Sequence, residues 1–157
     1  AFFPLASSLF PFSILSSKIL FGIYPILLCL IAFFNPKKLT MREPSRLLAF
    51  RIADELVLDV YLFTKAFPKE EIYGLTSQIR RAIISVPSNI VEGCSRNSQK
   101  EYCRFLEIAY GSLKESHYQC NLAVRLEYNS ETEFQILNRK FIEAEKVLGS
   151  LIIKMQI

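Results

Sequence analysis

One histidine, His117, is all that the 157-residue chain carries. A structural zinc takes four ligands at characteristic spacings, and the four cysteines, Cys29, Cys94, Cys103 and Cys120, include no C-x-x-C pair. No zinc site is expected. Glu92, Glu101, Glu107 and Glu115 invite a di-iron reading, but that site needs Glu-x-x-His twice and a lone histidine cannot supply it. The same scarcity leaves no footing for a Ser/His/Asp or Cys/His nucleophile, and no glycine-rich phosphate loop is present. His117 itself sits one turn from Leu113 beside an apolar seam, the place of a partnered core or boundary histidine. The expectation is a protein without catalytic residues, metal or cofactor.

Acidic residues are missing from the first forty positions, where Lys18, Lys37 and Lys38 are the only charges. Of the 19 basic and 15 acidic side chains in the chain, that leaves 16 basic and all 15 acidic in residues 41–157, a net of +1. The formal charge of +4 therefore belongs mostly to the N-terminal segment, and it is no argument for nucleic-acid binding by the rest.

That segment, 1–40, is an apolar extension with three open readings. Ile19–Phe34 is uninterrupted apolar sequence, short of the roughly 20 residues of a membrane span, but extendable through Lys18 to Leu9. Lys37, Lys38 and Arg42 follow it, so the positive-inside rule would hold the remainder in the cytoplasm as a membrane-anchored bundle. Alternatively, because Met41 is the first methionine, the stretch is translated upstream sequence. A targeting segment is the third reading, although no basic region precedes the apolar run.

No segment shows a period of two. From Met41 onward the apolar spacing alternates three and four, the seam of packed helices. The first helix is expected over Ser45–Phe67, on Ala49, Ala53, Leu56, Val60, Phe63 and Phe67, stopped by Pro68. The second is expected over Leu75–Gly93, on Leu75, Ile79, Ala82, Ile83, Val86 and Ile90. Ser98-Gln99-Lys100-Glu101 and Ser130-Glu131-Thr132-Glu133 read as capping boxes that open the third and fourth helices. Their seams run Tyr102, Leu106, Ala109, Leu113, Ser116, Cys120, Ala123 and Phe134, Leu137, Phe141, Ala144, Leu148, Leu151, Met155. Short loops make consecutive helices antiparallel. The fold class is all-α: an up-down-up-down four-helix bundle over 41–157, with reduced, half-buried thiols of the cytosolic kind. Leu48, Val57, Ile84, Val91, Phe105, Ile108 and Tyr110 exceed what four seams use, and this surplus points to self-association.

The stretch Ser85–Gly93, SVPSNIVEG, holds a proline inside the second helix. Pro87 removes a hydrogen bond to the Ile83 carbonyl at a cost of about 3 kcal/mol or a kink. Ile79, Ile83, Val86 and Ile90 nevertheless keep helical phase across it, which predicts a continuous, kinked helix. Ser85 or Asn89 is expected to satisfy the freed carbonyls, and Glu92 to pair with Arg96.

Phe67 to Glu115 resembles the bacterial four-helix-bundle family encoded by intervening sequences in 23S ribosomal RNA genes. The resemblance rests on Pro68, Glu71, Tyr73-Gly74-Leu75, Gln78, Arg80-Arg81-Ala82, Ser85, Pro87, Asn89-Ile90, Glu92-Gly93, Arg96, Phe105-Leu106, Ala109 and Gly111-Ser112-Leu113, and spans Met41 to Ile157. Pro87, Asn89, Glu92 and Gly93 form its structural motif. Val91, where the family has alanine, and Lys114-Glu115-Ser116 depart from it. The resemblance implies the bundle already derived and a homopentameric assembly, with no established cellular role. A more distant relative, the accessory variability determinant of diversity-generating retroelements, is a basic pentameric barrel that binds nucleic acid, which makes RNA or DNA the leading partner to test.

Arg80, Arg81, Arg96, Lys100, Arg104 and Lys114 cluster on the second and third helices. Repeated around a ring, they would form a phosphate-tracking surface. The plainer reading is a solvated face with internal pairs such as Arg104 with Glu101 or Glu107. Tyr73 and Tyr110 are the candidates for stacking bases. The alternative function is a protein-interaction scaffold without nucleic-acid binding, tethered to a membrane if residues 1–40 supply an anchor.

Overall fold

The computed structural model describes residues 42–156. The readings placed on residues 1–40 lie outside the described residues. Four helices follow one another: α1 (Leu48–Phe63), α2 (Leu75–Cys94), α3 (Gln99–Arg125) and α4 (Glu131–Gln156). Packing runs α1 to α2, α2 to α3, α3 to α4 and α4 back to α1. This closed ring of neighbours is the up-down-up-down bundle that short connections require. No helix among the described residues is long and apolar enough to cross a membrane.

The core is the set of seam positions. Ala53, Leu56, Val60, Ile79, Ile83, Val86, Ile90, Leu106, Ala109, Leu113, Cys120 and Phe141 are all buried, most of them completely. The ends of the fourth seam, Leu151 and Met155, are half-buried and pack on the core rather than inside it. At the loop end, Phe63 meets Phe67 edge-on at 5.7 Å, and Phe67 meets Tyr128 at 5.8 Å. Burial pushes the thiol of Cys120 up to about 12 and also raises Cys94. Both thiols pack in the core, where burial disfavours the thiolate.

The first helix is shorter than its apolar pattern suggests. Pro44–Arg46 and Thr64–Ala66 are 3₁₀ turns flanking α1. Leu47 is extended between the first turn and the helix, at φ −84°, ψ 122°. Phe67 is extended at φ −68°, ψ 151°, as the residue before Pro68 must be.

Helix α2 continues through Pro87 to Cys94. The polar side chains around the proline do not bond the carbonyl expected. Asn89 Nδ2 donates to the Ser85 carbonyl at 2.7 Å and the Ser85 hydroxyl at 2.9 Å, and Ser88 Oγ donates to the Ile84 carbonyl at 2.8 Å. The Ile83 carbonyl that Pro87 orphans accepts from none of these side chains. They reinforce the adjoining turn instead. Glu92 does pair with Arg96.

Both caps form, each with a changed partner. Ser98 Oγ accepts from the Glu101 amide at 3.3 Å, but the Glu101 carboxylate turns to Arg104 at 3.6 Å rather than back to the cap. Ser130 Oγ accepts from the Glu133 amide at 3.2 Å and donates to its carboxylate at 2.9 Å. The Ser130 amide is taken by Asn129 Oδ1 at 2.9 Å, which leaves the box nothing to close on.

A brace joins the two loops at one end of the bundle. Glu71 accepts from the Leu75 amide at 2.8 Å, capping α2, and from the Tyr128 hydroxyl at 3.0 Å. A Cβ at Gly74 would meet that carboxylate and push it off the Leu75 amide, so glycine lets the brace close. Tyr128 is delivered by the end of α3. The Glu127 amide donates to the Val124 carbonyl and the Tyr128 amide to the Ala123 carbonyl, a Schellman motif with Glu127 at φ 61°.

Candidate nucleic-acid interface and neighbouring polar clusters

The six basic residues singled out from the sequence do not share one surface. Arg80 faces α1: its Nε donates to Thr64 Oγ1 at 2.9 Å and its guanidinium lies 4.7 Å from the Tyr61 ring centre. Lys114 reaches the other way, to Glu145 of α4 at 3.0 Å. Arg81 is exposed at the α2–α3 seam and bonds Gln78 at 3.2 Å.

Arg96, Lys100 and Arg104 do lie together, at the corner where α2 ends and α3 begins. Arg96 pairs with Glu92 and stacks 4.8 Å from the Phe105 ring centre. Arg104 is 67% exposed and carries the long contact to Glu101. Lys100 is exposed and has no ion pair among the described residues. A fourth cation joins them. Arg42 bonds the Arg96 carbonyl at 3.3 Å and Gln99 Oε1 at 2.9 Å, and lies 4.1 Å from the Tyr102 ring centre. In the sequence Arg42 follows the apolar segment and lies 54 residues before Arg96. No local pattern could have joined them. Of the two candidate stacking rings, Tyr73 is 94% exposed, whereas Tyr110 packs against the core.

His117 is fully partnered. Its Nδ1 lies 2.8 Å from Glu145 Oε1 and its Nε2 lies 2.7 Å from Asn138 Oδ1. The ring stacks on Phe141 at 4.6 Å and 4°. With Lys114 on the second Glu145 oxygen, this network bolts α3 to α4. Burial alone would raise the Glu145 carboxyl, but hydrogen bonds from His117 and Lys114 outweigh it and hold its pKa below the ordinary 4.5. A lowered acid adds stability that is complete above its unfolded value and is lost as pH falls through the folded one. Below about pH 4.5 the wild type should therefore lose melting temperature faster than Glu145→Gln, whose side chain cannot titrate. Thermal melts from pH 7 to pH 3 measure this; parallel pH profiles would contradict it.

Besides a concavity of about 280 Å³ beside His117, two others lie on the described surface. One, of about 260 Å³, lies over the α2–α3 seam between Gln78, Arg81, Ser85, Ser112 and Glu115. The other, about 230 Å³, is a groove between the end of α1 and the start of α4, with Leu62 and Ile136 on its walls and Asp59, Glu133 and Lys140 on its rim. No group of three or more metal-ligating side chains occurs among the described residues.

These features define the class: a small antiparallel four-helix bundle with a basic corner. Within that class, residues 45–150 match the model of the 23S rRNA-intervening sequence protein family, and the chain belongs to that family. A crystal structure of a protein of unknown function from the S23 ribosomal protein family of Bacteroides thetaiotaomicron is similar in fold. It is 24% identical, with a TM-score of 0.60, over 67% of this chain and 98% of that one. No curated protein matches the chain significantly.

Proposed function

We propose that this chain is a non-enzymatic, oligomeric nucleic-acid-binding protein that contacts phosphates through Arg96, Lys100 and Arg104. The observation that carries the reading is the α2–α3 corner, where three cations and Arg42 converge and Lys100 is left without a carboxylate among the described residues. Repeated around the homopentamer that the resemblance implies, each corner would supply a few phosphate contacts, and weak single contacts would sum through multivalency. Arg80 is assigned instead to the joint between α1 and α2, where Thr64 and Tyr61 hold it.

Full-length chain should bind RNA or DNA with an affinity that falls steeply with salt. Reversing Arg96, Lys100 and Arg104 to glutamate should weaken binding by at least about tenfold. It should also lower the slope of log affinity against log salt by about 2 per bound chain, close to 0.7–0.9 per phosphate contact removed. Titrations between about 50 and 200 mM salt read both quantities. Unchanged affinity and slope in the triple variant would remove the corner from the interface. Absence of nucleic-acid binding by the wild type would favour the scaffold reading, for which the exposed Leu58, Leu62, Tyr73 and Ile136 side chains are the supporting observation.

A further inference from the structure

Two opposite charges face one concavity and do not meet. Arg81 of α2 and Glu115 of α3 both line the hollow of about 260 Å³ over the α2–α3 seam. Both side chains are exposed, and neither has an ion pair among the described residues. Each is held instead by a glutamine of its own helix. Gln78 Oε1 accepts from the Arg81 guanidinium at 3.2 Å, and Gln119 Nε2 donates to Glu115 Oε1 at 3.1 Å. The guanidinium keeps donors to spare and the carboxylate keeps an oxygen. The floor is fixed as well. Ser85 and Ser112 join across the seam, Oγ to Oγ at 3.0 Å, and Asn89 Nδ2 donates to Ser85 Oγ at 2.9 Å. Hydroxyls bonded to one another ask little of a ligand, so recognition rests with the two charges.

The hollow lies in line with the basic corner. Arg81, Ser85, Asn89, Glu92 and Arg96 follow at intervals of three and four, one stripe of α2 continued past its end. Ser85 and Arg96 are about three turns apart, or roughly 16 Å. Arg96 crosses to Phe105 of α3 as Ser85 crosses to Ser112, so both places sit over the same seam. A single strand whose phosphates rest on the corner can reach the hollow with a base.

Guanine is the base that satisfies both charges. It presents two N–H groups side by side, at N1 and N2, and two acceptors, O6 and N7. Adenine and cytosine bring an amino donor where O6 stands and a ring acceptor where N1–H stands. Each would set donor against Arg81 and acceptor against Glu115. Uracil offers a single N–H. Resting on the reading above that the chain binds nucleic acid, we propose that the α2–α3 hollow takes an unpaired guanine of the bound strand, with Glu115 accepting from N1–H and N2–H and Arg81 donating to O6 and N7.

The probes are oligouridylates of one length carrying a single guanine, adenine or cytosine, or none, titrated with the full-length chain. Wild type should bind the guanine probe at least about fivefold more tightly than the others, the lower end of what one bidentate base contact discriminates. Glu115→Gln and Arg81→Gln should each erase that preference. Both positions are exposed, so thermal melts of the variants should match wild type. Glu115→Gln should leave the salt slope unchanged, since its carboxylate touches no phosphate. The triple corner variant should bind every probe more weakly yet keep the preference. Equal wild-type affinity for all the probes would overturn the guanine assignment and leave the phosphate-binding reading standing. A preference that survives both single variants would overturn its placement in the hollow. Absence of binding to every probe would overturn that reading and this inference together.

Discussion

Phe141→Ala should destabilise the bundle by about 3–5 kcal/mol, the range for truncating a buried phenylalanine. The ring is 0% exposed and lies at the middle of α4, where the apolar seam passes into the polar joint with α3. Its removal opens a cavity that the neighbours fill poorly, since interiors pack at crystal-like density. It also takes away the face on which His117 stacks at 4.6 Å. That ring is then left to its two hydrogen bonds, to Glu145 and Asn138. Domains of this size are stable by about 5–15 kcal/mol in total, so the variant should sit near its folding threshold. Urea unfolding of Phe141→Ala beside Phe141→Leu separates the causes. The leucine variant keeps most of the volume and should lose about 1.5 kcal/mol or less. A loss below about 1 kcal/mol for alanine would mean that the α3–α4 joint does not depend on this ring.

Gly93→Leu is expected to disrupt the crossing of α2 and α3, the most extensive helix contact in the bundle. A Cβ at Gly93 would lie 3.0 Å from the Phe105 Cβ and 3.2 Å from the Tyr102 ring. Neither neighbour can easily move. Tyr102 is 1% exposed, its phenol pushed up to about 12, chiefly by burial, and Arg42 lies over its ring. Two effects oppose each other. Replacing glycine inside a helix gains about 1 kcal/mol of propensity, while overpacking a filled site costs typically 1–3 kcal/mol. For alanine the two nearly cancel, so Gly93→Ala should lie within about 1 kcal/mol of wild type. For leucine the further carbons have no space, and a net loss of about 1–2 kcal/mol is expected. Thermal melts of the two variants check the order; a leucine variant as stable as the alanine one would show that the helices separate at little cost.

The helical layout was legible because burial imposes a period. In a two-sided environment an apolar side chain every three or four residues has one place to go, and each seam position from Ala49 to Leu148 is buried except Leu75, which packs against the core from its edge. Serine before each of the last two helices marks a start for an equally local reason, the free amides of a first turn. The changed cap partners show where local reading stops. The carboxylate of Glu101 found Arg104, and the amide of Ser130 found Asn129. Competing partners lay within reach, and the motif alone does not rank them.

The candidate site was legible in composition but not in arrangement. Helical spacing orders cations along one helix, but it does not say which neighbouring helix takes the carboxylate or ring beside each one. Arg80 and Lys114 lie on opposite flanks for this reason, one against Tyr61 and the other against Glu145. Arg42 joined the corner through contacts spanning 54 and 57 residues. Likewise, His117 was recognisable as a partnered histidine from its place beside the seam, while its partners were set by the rotation of α4.

What the sequence by itself determined is what depends on neighbours three or four residues apart: helix count, core faces, chain reversals and the phase carried through Pro87. Tertiary structure alone decided which charges meet, which tyrosine faces water and which helix pair makes the most extensive contact. Those outcomes depend on helix rotation and separation, and these are fixed by the joint packing of side chains far apart in the chain, such as Tyr102 and Phe105 against Gly93.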